Sequence, residues 1–480
     1  MEPPITPPHA VANLPKSTPI KTGISSTTPY TTNHLYRIDS VTAVGKEMAR
    51  FLVGPMPSQL FLDTFFPTEK ISNLDNVPSF EPDCYRHVVT GNRSEKQAYQ
   101  PFVSQISCSY RVSSTLTIFK VTSTQRFMPG FRVVNSSSSV DRNPTAIPHP
   151  IKPDILVYRD DAGPNIITDS SLVEIFIEFK WYPRDDPFCT VSNAGGVKKS
   201  FLHRTMKAND TLGQITIYAA AQLGSQFHTH AFSVFILRDK ARIIRWDRSG
   251  TIVTESIDIN SDPQLAKFFR RYSKAPAEMR GLDQSVSDPT PEEAIAARQA
   301  LGLADDVSLF KLEVPCNDSV RYFVTPTPQA TFYMPPGRAT RGFQAYDISR
   351  ATRVFLKDTW RIDLEDIHAE GLTYEILDKA DVPNIPRCIA FGDISTTTYH
   401  ATKTFTYSSA VWSSTTLTSA GSADLASSKV AHFVPHRHYR LVLDVIGRGL
   451  MAFESSYEMV KAVRDAIVGR FDDPIVDEQH

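Results

Sequence analysis

The sequence predicts a protein of mixed α+β or α/β class, built from two regions that each combine strands with helices. Its 480 residues exceed the length of one ordinary domain. Runs rich in β-branched and aromatic residues, such as LVEIFIEF at 172–179, predict buried strands. Helical patterns such as 211–223 follow them along the chain.

The composition is that of a globular protein, with 41% hydrophobic and 21% charged residues. No apolar run is long enough to cross a bilayer, so we expect no membrane insertion. The formal net charge of -1 gives no strong overall field for nucleic acid. Any nucleic-acid binding must therefore depend on a local site.

Both the N-terminus and the cysteines bear on the cellular compartment. Residues 1–38 are rich in Pro, Ser and Thr and are predicted to be a disordered leader, not a secretory signal. The five cysteines form no C-x-x-C pair, which argues against a disulfide framework or a zinc cluster. We therefore expect a cytoplasmic or nuclear protein.

The first predicted region covers 39–275. Val44, Met48 and Leu52 share one face of a helix at its start. Strand patterns follow at 155–158, 172–179, 232–237, 242–246 and 251–257, with a turn at 247–250 and helices over 211–223 and 263–272.

The second region is predicted over 331–470, after a helical linker at 276–330. Thr290 is the expected N-cap of the linker helix. The patterns then give strands at 353–358, 387–391 and 439–445, helices at 364–377 and 455–470, a Ser/Thr-rich insertion at 394–436 and a tail at 471–480.

Charged residues at strand ends form the first candidate site. Glu178 and Lys180 lie on one face of their strand, and Asp154 opens the preceding strand. If the two strands pair, Asp154 and Glu178 offer carboxylate oxygens suited to Mg²⁺ or Mn²⁺. Lys180 would then orient a water molecule or stabilise charge on a phosphate. Glu174 and Glu47 are weaker candidates for the same cluster.

This arrangement resembles the PD-(D/E)xK nuclease superfamily, with Asp154 after a proline and Glu178-x-Lys180 on the next strand. Gln214-x-x-x-Tyr218 is similar to the Gln-Tyr helix of its RecB-like branch. The resemblance implies a catalytic set of Asp154, Glu178 and Lys180, a metal held by the two carboxylates, and a nucleic-acid substrate. A nuclease-like scaffold without activity and a simple surface ion pair are the alternatives.

The second candidate site centres on Lys357, in the strand sequence Val-Phe-Leu-Lys. A strand holds such a lysine rigidly toward the phosphates of ATP, and a carboxylate from the next helix fixes its rotamer. Glu370 is the predicted partner and Glu375 the alternative. Asp444 and Ile446 lie at the end of the last strand, where backbone groups would contact adenine.

Several segments resemble the fungal-type protein kinase family over roughly 40–470. They are GRATRGFQAY at 337–346, VFLKDTW at 354–360, VPNIP at 382–386 and HYRLVLD at 438–444, with 152–180 and 245–250 similar to the region upstream of the kinase domain. The resemblance implies ATP binding and Ser/Thr-type phosphoryl transfer in complete members. The expected fold is therefore a nuclease-like mixed-sheet domain followed by the N-terminal lobe of a protein-kinase-like fold.

The second region also departs from an ordinary kinase. Gly337 and Gly342 have the spacing of a Walker A loop, but Phe343 stands where that loop needs lysine, so only their proximity to Lys357 suggests a phosphate-binding loop. No His-Arg-Asp and no Asp-Phe-Gly follows the last predicted strand. We expect a kinase-family chain truncated before the catalytic loop, with weak ATP binding and no turnover.

Two further features complete the sequence predictions. The pairs His228-x-His230 and His436-x-His438 have no evident third ligand, so metal binding there is not expected. A kinase N-terminal lobe alone would expose an apolar floor, and we therefore expect an unidentified protein partner.

Overall fold

The computed structural model describes residues 37–74, 83–90, 94–107, 127–141, 150–189, 201–203, 205–317, 319–327, 334–394, 398–413, 433–447 and 452–471. Two β-sheets organise this part of the chain. The first contains strands β1 to β8 and the second β9 to β15. The predictions for most of the leader, part of the Ser/Thr-rich insertion and the end of the tail fall outside the described residues.

The first sheet is mixed, in the order β1-β7-β6-β5-β4-β3-β2, with β8 paired to β6. Its strands are β1 (Leu52–Met56), β2 (Phe131–Asn135), β3 (Ile155–Arg159), β4 (Ile175–Lys180), β5 (Ala231–Leu237), β6 (Lys240–Asp247), β7 (Gly250–Thr254) and β8 (Ile257–Asp258). The pairs β1–β7 and β4–β5 are parallel and the others antiparallel.

Helices cover both faces of this sheet, so successive residues of a strand such as β4 are buried alternately on one face and on the other. They are α1 (Arg37–Met48), α2 (Ser58–Phe65), α3 (Arg86–Val89), α4 (Glu95–Ser107), α5 (Met206–Ser225), α6 (Gln264–Lys274) and α7 (Ala277–Arg280). Ile177 and Phe179 pack with residues of α2, α4 and α6, whereas Phe176 packs with residues of α1 and α5. Gly45 and Gly213 let α1 and α5 cross closely, since a Cβ on Gly213 would lie 1.9 Å from the Val41 carbonyl oxygen.

The second sheet is antiparallel, in the order β14-β15-β13-β12-β11-β10-β9. Its strands are β9 (Val286–Ser287), β10 (Leu309–Cys316), β11 (Ser319–Pro326), β12 (Arg341–Asp347), β13 (Thr352–Ile362), β14 (Cys388–Asp393) and β15 (His436–Leu443). The helices of this part are α8 (Pro291–Leu301), α9 (Glu370–Lys379), α10 (Thr404–Tyr407) and α11 (Ser456–Phe471). Apolar residues of α11, including Val460 and Ile467, are exposed.

The turn between β6 and β7 joins the two sheets. Arg248 is fully buried, donates to the Pro335 carbonyl oxygen at 3.0 Å and accepts from the Gly337 N–H at 2.9 Å. Ser249 Oγ donates to the Val434 carbonyl oxygen at 2.7 Å. The Asp247 carboxylate accepts the backbone N–H groups of residues 403 and 404 at 2.8 and 3.0 Å.

The predicted mixed α+β class is confirmed, while a specific likeness of the first sheet to a nuclease stays a prediction. Residues 276–330, predicted as a helical linker, contain α8 but also β10 and β11, which join the second sheet. Leu52, assigned to the first helix, begins β1 instead, and α9 begins at Glu370, six residues later than predicted. None of the described helices has the length and apolar character needed to cross a membrane.

Candidate functional site

Lys357 lies in β13, in the interior of the second sheet. It pairs with Gly342 of β12 on one side and Leu441 of β15 on the other. Two neighbouring strands therefore fix the backbone at this position. The lysine side chain keeps 22% exposure, so it lies at the edge of solvent.

Glu370 is the first residue of α9 and holds Lys357. The Lys357 Nζ atom lies 2.8 Å from Oε1 and 2.6 Å from Oε2 of this carboxylate. The Gly371 N–H donates to the Tyr439 hydroxyl at 2.8 Å, which fixes the start of α9 against β15. A Cβ on Gly371 would lie 2.1 Å from the ring of Phe391, so only glycine fits at this contact. Glu370, not the alternative Glu375, is thus the partner of the lysine.

Arg338 is a third charged residue at this site, and the sequence analysis missed it. Its guanidinium Nη2 lies 3.7 Å from Glu370 Oε2. Its backbone carbonyl accepts the Trp360 N–H at 2.8 Å and the Thr359 hydroxyl at 3.1 Å. Its position directly after Gly337 was the one available signal, because a cation in a glycine-containing loop is a common phosphate ligand.

The two predicted loop glycines occupy different positions. Gly337 has φ +117°, which favours glycine, and a Cβ there would meet no atom within 4 Å. Gly342 lies within β12 directly opposite Lys357, where a Cβ would lie 3.0 Å from the Phe355 ring. Gly342 therefore presents no side chain next to Lys357, and Gly337 has open space at the position of a side chain.

Asp444 and Ile446 lie immediately after β15. The Asp444 N–H donates to the Arg387 carbonyl oxygen at 3.0 Å, and its carboxylate accepts the Arg387 N–H at 2.9 Å. These bonds fix the chain next to β14, and Ile446 is half-buried two residues later. Their role in contacting adenine stays a prediction.

The first sheet brings together Asp154, Glu178 and Lys180. Strands β3 and β4 pair antiparallel, and the Asp154 carboxylate accepts the Phe179 N–H at 2.9 Å. Lys180 Nζ forms a short hydrogen bond with Glu178 Oε1. Glu178 is 1% exposed, and its second oxygen, Oε2, is buried without a hydrogen-bond partner in the described part of the chain.

Two residues of α4 complete this cluster, and the sequence analysis missed them as well. The Tyr99 hydroxyl lies 2.7 Å from both Glu95 Oε1 and Asp154 Oδ1. Tyr99 lies 55 residues before Asp154, and no pattern in the sequence links α4 to β3. The cluster therefore gathers the carboxylates of Glu95, Asp154 and Glu178 around the single ammonium group of Lys180.

The surplus of negative charge shows in the acidities of these groups. Burial raises the pKa of Glu178 well above its ordinary value, and the charge of Asp154 raises it further. Burial also raises the pKa of Asp154 and of Glu95. For Lys180, burial alone would lower the pKa, but the charges of Glu178 and Asp154 outweigh it and the pKa is raised. A divalent cation would relieve this repulsion.

Other predicted members of the cluster lie elsewhere. Glu174 bonds to the Tyr272 hydroxyl at 2.7 Å and pairs with Arg280 at 3.4 Å. Gln214 donates to Tyr218, whose hydroxyl donates to the carbonyl oxygen of residue 152 at 2.9 Å, so this pair ties α5 to the segment before β3.

Glu47 is 9% exposed on α1, and neither of its carboxylate oxygens has a hydrogen-bond partner in the described residues. Burial raises the pKa of Glu47 to about 7. Within the described residues no hydrogen bond connects its carboxylate to Glu178, so Glu47 stays only a weak candidate ligand.

A separate group of possible metal ligands lies between the two sheets. Asp283, His400 and His438 are buried, and in the described ranges their ligand atoms lie within 4.8 Å of one another. His438 Nε2 lies 2.5 Å from Asp358 Oδ1, and Arg440 donates to Asp283 at 2.9 Å and to Asp358 at 3.1 Å. Because this guanidinium already compensates the carboxylates, the group fits a buried polar junction better than a metal centre.

Of the predicted histidine pairs, only His438 belongs to that group. His436 Nδ1 lies 2.9 Å from the Val434 carbonyl oxygen, and His230 Nε2 lies 3.1 Å from the Met279 carbonyl oxygen. Burial lowers the pKa of His228 and of His436 to about 4, so both are neutral near pH 7.

Comparison with known families extends these observations. A family model described as fungal protein kinase matches residues 176–472, which is more than half of the chain. The match runs from β4 into the second sheet and includes both Lys357 and Glu370. No curated protein and no solved structure matches the chain.

Proposed function

Since the chain belongs to the fungal protein kinase family, we propose that its second sheet binds ATP through Lys357. In this proposal Lys357 contacts the phosphates and Glu370 fixes the lysine rotamer. Gly337 and Gly342 leave space for the phosphate groups. Asp444 and Ile446 lie beside the adenine.

The observation that carries the proposal is the two-point contact between Lys357 and Glu370. A central strand carries the lysine, and the first turn of the following helix carries the carboxylate. Kinases use this same strand and helix order to present a lysine to the α- and β-phosphates. Members of the family that transfer phosphate also need a catalytic aspartate and a magnesium-binding Asp-Phe-Gly. Neither His-Arg-Asp nor Asp-Phe-Gly occurs in this sequence, so we propose that this chain binds ATP weakly and without turnover.

Titration calorimetry of the full chain with ATP tests the binding. We expect measurable affinity that falls about tenfold or more in Lys357→Met, because the phosphates lose a charged partner. Lys379→Met is the matched control, since Lys379 is exposed at the end of the same helix α9. Equal affinity in wild type and Lys357→Met would rule out this site.

Phosphate release from Mg-ATP tests the absence of turnover. We expect no release above that of the Lys357→Met variant. Release by the wild type that disappears in Lys357→Met would show that the site is catalytic after all.

A second candidate function rests on the cluster in the first sheet. We propose that Glu95, Asp154 and Glu178 hold Mg²⁺ or Mn²⁺ and that Lys180 assists hydrolysis of a nucleic-acid phosphodiester. The supporting observation is the unpartnered, buried Oε2 of Glu178 within a group of carboxylates whose pKa values are raised. When bound, the metal would polarise a phosphoryl oxygen and activate water.

Cleavage of single- and double-stranded DNA in the presence of Mn²⁺ tests this candidate. We expect Glu178→Gln to abolish cleavage and Glu69→Gln, an exposed glutamate of the same region, to preserve it. Cleavage that survives Glu178→Gln would exclude the site, and no cleavage by any variant would leave the scaffold alternative.

We further propose a cytoplasmic or nuclear location and a protein partner that covers exposed apolar residues such as Val460 and Ile467.

A further inference from the structure

Arg338 has a fixed backbone beside the proposed nucleotide site. Its carbonyl oxygen accepts two hydrogen bonds from β13, from the Trp360 N–H and the Thr359 hydroxyl. The preceding residue, Gly337, donates its N–H to the Arg248 carbonyl oxygen at 2.9 Å. The main chain is therefore held from both sides, and only the arginine side chain is free to follow a ligand.

The guanidinium of Arg338 is incompletely paired. Its contact with Glu370 Oε2 is 3.7 Å, whereas Lys357 Nζ lies 2.6 Å from that same oxygen. Its Nε is buried and has no hydrogen-bond partner in the residues that the structure describes. Two cations thus share one carboxylate, which leaves a surplus positive charge at the edge of the site.

We infer that Arg338 is a second phosphate-binding cation that selects nucleoside triphosphates over less charged nucleotides. This inference rests on the proposed binding of ATP at Lys357. The side chain is 28% exposed, so it reaches solvent next to the lysine. A guanidinium presents two parallel N–H groups to a phosphate, and a lysine cannot reproduce that geometry.

The roles of the two cations then differ. Glu370 holds Lys357 at two points, so Lys357 contacts phosphates from a fixed position. Within the described residues the Arg338 guanidinium has only a long ion pair to break, so it can turn toward the terminal phosphate when one is present. Its contribution therefore depends on the number of phosphates, whereas contacts with the base and sugar do not.

Calorimetry with ATP, ADP and adenosine on the full chain tests the inference. We expect Arg338→Met to weaken ATP binding about tenfold, ADP binding less, and adenosine binding by less than about twofold. Arg338→Lys should restore part of the loss for ATP. Arg353→Met, at an exposed arginine of the strand β13 that carries Lys357, is the matched control and should leave all three affinities unchanged.

Thermal unfolding of each variant reports whether the fold is kept. We expect the variants at Arg338 to remain folded, because the backbone of Arg338, and not its side chain, forms the hydrogen bonds to β13. If the wild type binds ATP and Arg338→Met binds it equally well, the inference is wrong and the proposed function stands. An equal loss for ATP and adenosine would also overturn it. If the wild type binds no nucleotide, the proposed function itself fails, and this inference fails with it.

Discussion

Each of the two candidate sites contains a lysine–glutamate pair, and the surroundings of these two pairs are opposite. Lys180 and Glu178 are two residues apart on β4, with exposures of 14% and 1%. Lys357 and Glu370 connect a strand to a helix and keep exposures of 22% and 26%. The first pair lies among further carboxylates, whereas the second has another cation beside it.

The difference teaches that the neighbours of such a pair, more than the pair itself, determine which ligand it suits. Around Lys180 the negative charges of Glu95 and Asp154 outnumber the single cation, and this favours a metal ion. Around Glu370 the cations are in excess, because Arg338 joins Lys357, and this favours a phosphate. Four predictions test that contrast, in order of decreasing effect.

The largest difference should be in stability when each lysine is lost. Lys180→Met leaves buried carboxylates without a cation and should cost about 3–5 kcal/mol of unfolding free energy. Lys357→Met removes a partly exposed pair and should cost about 1 kcal/mol or less. Urea unfolding of both variants measures the losses, and equal losses would show that the two environments do not differ as described.

Ligands should stabilise the two sites selectively. Mn²⁺ at saturating concentration should raise the unfolding free energy of the wild type by about 2–3 kcal/mol. Glu178→Gln should remove this gain and Glu370→Gln should retain it. The stabilisation by ATP should be lost in Glu370→Gln and retained in Glu178→Gln. A gain in unfolding free energy with Mn²⁺ that persists in Glu178→Gln would place the metal elsewhere.

The affinity for Mn²⁺ should depend on pH. Because the pKa of Glu178 and of Asp154 is raised in the folded protein, their protons must leave before the metal binds. Without metal, the stability that comes from the protonated forms is lost as pH rises through these raised pKa values. Binding should therefore tighten as pH rises, by about tenfold per pH unit where one proton is released per metal ion. Calorimetry at several pH values measures this slope, and a flat profile would contradict it.

Glu47 offers a smaller contrast, because neither oxygen of this buried carboxylate has a hydrogen-bond partner in the described part of the chain. Its pKa is raised from 4.5 to about 7, so its contribution to stability is present when it is protonated and is lost as pH rises between these values. Glu47→Gln should remove that dependence. The variant should gain about 1 kcal/mol over the wild type between about pH 5 and pH 6 in thermal unfolding. A constant difference across this range would show that Glu47 does not titrate there.

Local pattern was sufficient to predict the paired residues of both sites. Alternation along β4 placed Glu178 and Lys180 on one face, and the strand-then-helix order predicted the contact of Lys357 with Glu370. The missed residues, Glu95, Tyr99 and Arg338, reach their sites only through tertiary packing of α4 and of the segment before β12. A single sequence carries no periodic signal for such long-range contacts.

Two of the wrong predictions have a physical reason. Strands β10 and β11 alternate apolar and polar residues on either side of Asn317, which has φ +53° as hairpin turns often require. The helix α9 begins later than predicted because the chain is still bonded to β15 at residues 362 and 363. Ile362 pairs with His436, and the Asp363 N–H donates to the Pro435 carbonyl oxygen, so the helix begins only at Glu370.

The turn at 247–250 determines whether the second sheet can be separated from the first. Its residues bond to backbone groups at 335, 337, 403, 404 and 434, so the loop beside Lys357 is built partly from the first sheet. A fragment that begins after residue 275 would lose the donors and acceptors that pair with those groups and would expose them to water. The second sheet is therefore not an independent module, because the segments at 335–337, 403–404 and 434 depend on hydrogen bonds to the turn of the first sheet.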